Sequence, residues 1–137
     1  MSPTSSALLA AFMAAVAVLA GCSSTQSTGE IGDKVMWAEA SFEVLSAEVE
    51  GDTLLTVVRY GGGCGQHRFE LEANGPLMKS LPPKQPLRWV HRSPGDPCRA
   101  LISDTVRAAL LPFRGTPHGT TVLHLEGHDA NLIYTYR

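Results

Sequence analysis

The first 21 residues of this 137-residue chain contain no Asp, Glu, Lys or Arg. Nowhere do two Lys or Arg residues stand side by side. Eleven Lys plus Arg face 13 Asp plus Glu, a formal net charge of −2. A nucleic-acid-binding domain needs a clustered basic face, and this composition excludes one. Cysteine is scarce, at three residues, and Phe, Trp and Tyr make up 7%. The longest uninterrupted apolar run is the 14 residues Ala7–Ala20. Spanning a bilayer as a helix takes about 20. There is no internal repeat. The glycine-rich "GGGCG" lacks the Lys-Ser/Thr that a phosphate-cradling loop carries. No Ser, His and Asp grouping marks a hydrolase. Gly (13) and Pro (9) are numerous but scattered, which describes a turn-rich globular chain.

The charge-free start has a positive use. "ALLAAFMAAVAVLA" has the length of the apolar core of a secretory signal. "LAGC" closes it, sharing its last two residues, at Leu19–Cys22. The combination resembles the lipobox of bacterial lipoproteins, in which cleavage precedes the cysteine and the cysteine takes lipid. The segment "MSPTSS" departs from that pattern in having no Lys or Arg, so the amino terminus supplies the positive charge. The resemblance implies a signal peptide over 1–21 and acyl chains, palmitate among them, on Cys22. More than one chain is needed for stable anchoring, since each buried CH₂ contributes only about 0.8 kcal/mol. Residues 22–34 are small and polar and read as a flexible tether. Ser23 stands where lipoproteins kept at the inner membrane often carry Asp. The resemblance therefore implies an outer-membrane anchor with the domain facing the periplasm.

Residues 35–137 read as one all-β domain of about seven short strands, an antiparallel β-sandwich or small barrel. "SFEVLSAEVEGDTLLTVVRY" holds two runs around Gly51-Asp52, a hairpin signal. Phe42, Val44 and Ser46 share one face of the first run. In "HRFELEA", Phe69 and Leu71 alternate with Arg68, Glu70 and Glu72. A fourth strand runs near Leu87–His91, after a "PPKQP" loop whose prolines exclude regular structure. "CRALISDTVRAALLPF" fits either helix or strand. Its all-β neighbourhood favours strand. "TTVLHLEG" and "NLIYTYR" form a last hairpin.

If Cys22 carries lipid, Cys64 and Cys98 remain, an even number in an oxidising compartment. Both stand in Gly- or Pro-bearing loops, "GGGCGQH" and "PGDPCRA". A bridge would close 35 residues, and the chain-entropy model puts that at roughly 3 to 4 kcal/mol. A metal is the alternative. Cys64 and His67 stand at Cys-x-x-His spacing, and His91 with Cys98 would complete a Cys₂His₂ set. The seven-residue step from His91 to Cys98 is longer than usual for zinc, however. A nucleophilic Cys64 with His67 as base has no motif around it. His67 and His91 could converge with Asp96 near the bridge; more ordinarily they satisfy loop backbone. His118 and His128 fall in turns, and His124 on an outer strand face. Trp37, Trp89, Tyr134 and Tyr136 are either an aromatic binding rim or core packing.

"YGGGCGQHRFEL", then "HRSPGDPCRALISDTV", then a closing "Y-x-Y" strand resemble uncharacterised bacterial lipoproteins. The Gly-Cys and Asp-Pro-Cys features are similar to those in the C-terminal domain of NigD-like lipoproteins. That resemblance spans Tyr60–Arg107 and, loosely, Leu132–Tyr136. It implies a β-sandwich with a disulfide. The larger N-terminal part of those proteins has no counterpart here. The functional expectation is a non-enzymatic, lipid-anchored envelope protein without a cofactor. It would contact the membrane through Cys22 and bind an envelope protein or glycan. The alternatives are a periplasmic metal-binding protein using Cys64, His67, His91 and Cys98, and an inhibitor of a hydrolase acting through "GGGCGQH".

Overall fold

The computed structural model describes residues 35–137. The signal peptide over 1–21, the tether over 22–34 and Cys22 lie outside the described residues. The described residues form eight strands in two sheets, with one 3₁₀ turn at Leu111–Phe113. Of the sandwich and the small barrel that the sequence leaves open, these residues form the two-sheet sandwich, with eight strands against the expected seven or so.

The smaller sheet is β2 (Glu43–Glu50), β3 (Thr53–Gly62) and β6 (Ala100–Ala109), with β3 in the centre. β2 and β3 form the hairpin around Gly51, whose φ of +58° a glycine adopts without strain. Along β3, Leu54, Thr56, Val58 and Tyr60 are buried, and the residues between them are half-buried. β2 does not keep one face. Phe42 and Val44 turn inward, the register shifts between Val44 and Ser46, and from there Ala47 and Val49 turn inward. Ser46 is therefore exposed rather than in line with Phe42 and Val44. The bulge takes up the extra residue, as a period-two side-chain pattern requires.

The larger sheet is built on β5 (Lys84–Ser93). β4 (Arg68–Ala73) pairs along one edge of β5. β7 (Gly119–Leu125) and the two-residue β1 (Ala38–Glu39) share the other edge, and β8 (Leu132–Tyr136) pairs outside β7. The β5–β7 pairing is parallel, one such pair in an otherwise antiparallel sandwich. β5 also starts earlier than the prolines suggest. Pro86 lies inside it, opposite Asn74, one residue past the end of the β4 ladder. A missing N–H is cheap there, and the Pro86 carbonyl still accepts from the Asn74 amide at 2.9 Å.

β6 pairs with β3 over ten residues, so the ambiguous stretch is strand. Its helical signal comes down to the 3₁₀ turn at Leu111–Phe113. The core joins Leu54, Leu87, Trp89, Leu110, Leu123, Leu125, Tyr134 and Tyr136. Trp89 and both tyrosines are thus packing residues, while Trp37 is half-buried under the Arg68 guanidinium at 4.1 Å.

Three polar ties cross between the sheets or their loops. In the middle, Trp89 Nε1–H donates to Thr56 Oγ1 at 3.0 Å. At the β2–β3 turn, Tyr134 O–H donates to Asp52 at 2.5 Å, and Arg114 donates to both. The third tie lies at the other end of β3.

Candidate functional site

At the C-terminal end of β3, "GGGCGQH" leads into β4, and "PGDPC" leads from β5 into β6. The two loops are covalently joined by the Cys64–Cys98 disulfide, with Cα atoms 5.7 Å apart. Asp96 lies between them. Its Oδ2 accepts the backbone N–H groups of Gly63, Cys64 and Gly65 at 2.8, 3.1 and 2.8 Å. Its Oδ1 accepts the N–H of Cys98, two residues on, at 2.8 Å. That is the local turn Asp favours. Three successive amides aimed at one carboxylate make an anion-binding concavity, filled here by the protein's own side chain.

The glycines make this geometry possible. An added Cβ at Gly62 would lie 2.6 Å from Asp96 Oδ2 and 2.7 Å from His67 Nε2. At Gly65 it would meet the Gly95 carbonyl at 3.1 Å.

A line of hydrogen bonds runs inward from Asp96. His67 Nε2 lies 3.0 Å from Asp96 Oδ2, and His67 Nδ1 lies 2.9 Å from His91 Nε2. His91 Nδ1 lies 3.2 Å from the Ser41 carbonyl, just before β2. The side chains of His67 and Asp96 are 9% and 5% exposed, and His91 is 2% exposed. Aromatic rings enclose the pair. Phe69 stacks flat on His91 at 4.3 Å, Tyr60 lies 4.6 Å from His67 and 5.1 Å from His91, and Phe42 stands edge-on to His91 at 5.9 Å.

Burial disfavours the Asp96 charge. The N–H groups of Gly65 and Cys98, the His67 ring and the Cys64 N–H outweigh that burial and hold its carboxyl well below the usual range. Burial pushes His91 below its ordinary value. The Ser41 carbonyl opposes the shift, and the neighbouring His67 adds to it.

Of the residues singled out in the sequence, Cys64, Cys98, His67, His91 and Asp96 come together here. His67 and His91 aim their nitrogens at each other, at Asp96 and at Ser41, so both rings are fully hydrogen-bonded. The donor atoms of Cys64, Asp96 and Cys98 lie within 4.8 Å of one another. The two sulfurs are bonded, however, and the carboxylate already accepts four amide N–H groups. His118 and His124 are exposed and His128 is half-buried, all away from this cluster. Sequence reasoning missed Ser41, Tyr60, Phe42 and Phe69 as walls of the site. The inward alternation of Tyr60 and Phe69 was the available signal. The Ser41 carbonyl had none, because a backbone acceptor leaves no residue-type mark.

A separate recess of about 370 Å³ opens between β2 and β5, lined by Phe42, Glu43, Val44, Arg88, Trp89 and Glu126. Its charged groups are partnered: Arg59 binds Glu43, Arg88 binds Glu72, and Asn74 donates to Glu126. Among the described residues, no buried side-chain nitrogen or oxygen lacks a hydrogen-bond partner.

Fold and site together define a disulfide-braced, two-sheet β domain with a buried Asp–His–His line at one end. Compared with known protein families, curated proteins and solved structures, the chain matches none of them.

Proposed function

We propose that this chain is a lipid-anchored protein of the bacterial envelope whose β domain binds or braces other envelope components without catalysing a reaction. The observation that carries the reading is the apolar run Ala7–Ala20 ending in "LAGC" at Leu19–Cys22. The Cys64–Cys98 bridge supports it, because disulfides persist in oxidising compartments such as the periplasm. The polar groups around the bridge are engaged with one another, which suits a brace better than a reaction centre. The recess lined by Phe42, Trp89 and Arg88 has the size of a small-ligand or side-chain pocket and is where a partner would seat.

Labelling with a palmitate analogue tests the anchor. The wild type should incorporate label and partition into detergent. Cys22→Ser should remain an unlabelled, unprocessed precursor. A labelled, processed Cys22→Ser protein overturns the lipid reading. Cross-linking in intact envelopes tests the binding role. Recovery of no partner, together with wild-type envelope behaviour in a deletion strain, overturns that part.

A further inference from the structure

The line Asp96–His67–His91–Ser41 has a proton count that its geometry dictates. Its two ends, a carboxylate and a backbone carbonyl, can only accept hydrogen bonds. Between them stand four ring nitrogens and three contacts, of 3.0, 2.9 and 3.2 Å. Each contact needs one hydrogen, so the line needs three. Two neutral imidazoles carry two. With two neutral rings, either lone pairs face each other between His67 and His91, or one end of the line has no donor. We infer that His67 and His91 together hold one extra, shared proton, and that this proton latches the segment Val35–Ser41 onto β5.

The surroundings fit a single buried cation. Asp96 supplies the counter-charge in direct contact with His67. The flat stack of Phe69 on His91 presents a π-face to the charge, and the tilted Tyr60 ring beside both imidazoles helps to exclude water. From β3 the facing titratable group is Tyr60, kept neutral by burial and by the charges of Asp104 and Asp96. From β6 it is Asp104, acting on Tyr60. From the β5–β6 loop it is Asp96. β4 contributes the apolar Phe69, and the segment before β2 contributes Phe42 and the Ser41 carbonyl. The adjacent bridge is uncharged.

Loss of the proton has a preferred victim. The bond from His67 to the Asp96 carboxylate is charge-assisted and holds. His91 then turns its hydrogen towards His67, leaving a bare Nδ1 against the Ser41 carbonyl. Few other ties hold the segment. β1 pairs with β5 through Ala38↔Ser93 and Glu39↔Arg92, the Ala40 N–H donates to the His91 carbonyl at 2.9 Å, and Trp37 stacks on Arg68. Deprotonation therefore loosens Val35–Ser41 while the bridge and the two sheets stay in place.

Nitrogen NMR of the full-length protein in detergent micelles, with amide exchange of Ala40, tests this. At pH 7 three of the four ring nitrogens of His67 and His91 should carry hydrogen. On titration to alkaline pH one proton should leave, and Ala40 exchange should accelerate at least tenfold beyond the intrinsic base-catalysed rise. Two neutral rings at pH 7 overturn the inference. So does Ala40 protection that stays constant over that titration after the same correction. His67→Phe separates a switch from simple packing. A lone neutral His91 can donate Nδ1–H to Ser41 unaided, so Ala40 protection should lose its pH dependence. A His67→Phe protein that keeps the wild-type dependence also overturns the inference. Should His67→Phe not fold, the wild-type ring-nitrogen count and exchange profile decide alone.

Discussion

A methyl group at Gly62 would occupy space already held by the Asp96 carboxylate and the His67 ring, 2.6 and 2.7 Å away. Neither neighbour is free to move, since Asp96 is bound by four amides and His67 by Asp96 and His91. Gly62→Ala should therefore cost about 1–3 kcal/mol, the usual range for overpacking. Gly61, one residue away, has open space where a Cβ would go. Gly61→Ala should stay within about 0.5 kcal/mol. Urea melts of the two variants check the contrast, and equal losses would contradict it. Thr56 presents a different residue-scale case. It is fully buried, and its hydroxyl satisfies the Trp89 indole N–H across the sheets. Thr56→Val preserves the shape and strands that donor. The expected loss in the same melts is about 1–3 kcal/mol, the desolvation cost of an unpaired buried group.

Among the elements, the two loops joined by Cys64–Cys98 behave as one unit. Cys64→Ser and Cys98→Ser should each lose roughly 3 to 4 kcal/mol by the loop-closure argument, and the double variant little more than either single. Reductant should reproduce the loss in the wild type, and chelator should do nothing. A chelator-sensitive, reductant-insensitive wild type would instead place a metal between the cysteines. This pairing was legible in the sequence because Cys64 and Cys98 are the two cysteines left once Cys22 is set aside for lipid, and both stand in Gly- or Pro-bearing loops. The β2–β3 hairpin and the strand β4 were legible too, because Gly51-Asp52 and the alternation in "HRFELEA" are local signals. The β2 bulge was half-legible: Phe42 and Val44 keep even numbers, Ala47 and Val49 odd ones, and the change of phase is itself the bulge. The parallel β5–β7 pairing was not legible, because it joins segments separated by β6 and no local pattern encodes which strands become neighbours. The inclusion of Pro86 in β5 was hidden for the same reason. Whether a strand can spare an N–H depends on where its partner ends.

For the molecule as a whole, the sandwich is tied at its middle by Trp89–Thr56, at one end by Tyr134–Asp52 and at the other by the Asp96–His67–His91 line. Two of these ties contain titratable groups whose shifts are resolved, so stability should fall in acid in two stages. His91 is depressed in the folded protein, chiefly by burial. His67 and His91 already share one extra proton at pH 7, and the folded protein resists a second at His91; the unfolded chain takes one up there below about pH 6.5, so stability drops as pH falls from there. Asp96 and Asp52 are depressed as well: Asp96 by amides and the His67 ring that outweigh its burial, Asp52 by its bonds to Tyr134 and Arg114. Their contribution is fully present above the ordinary carboxylate range near pH 4 and disappears as pH falls through their lower folded values. Urea midpoints of the wild type should therefore decline first between pH 6.5 and 5, then more steeply below pH 4. His91→Gln removes the first group and leaves both carboxylates. The variant should be less stable at pH 7 yet nearly flat from pH 6.5 to 5, with the steep decline below pH 4 retained. If its midpoint falls with the wild-type slope between pH 6.5 and 5, the early stage belongs to another group and the buried imidazole is not the source.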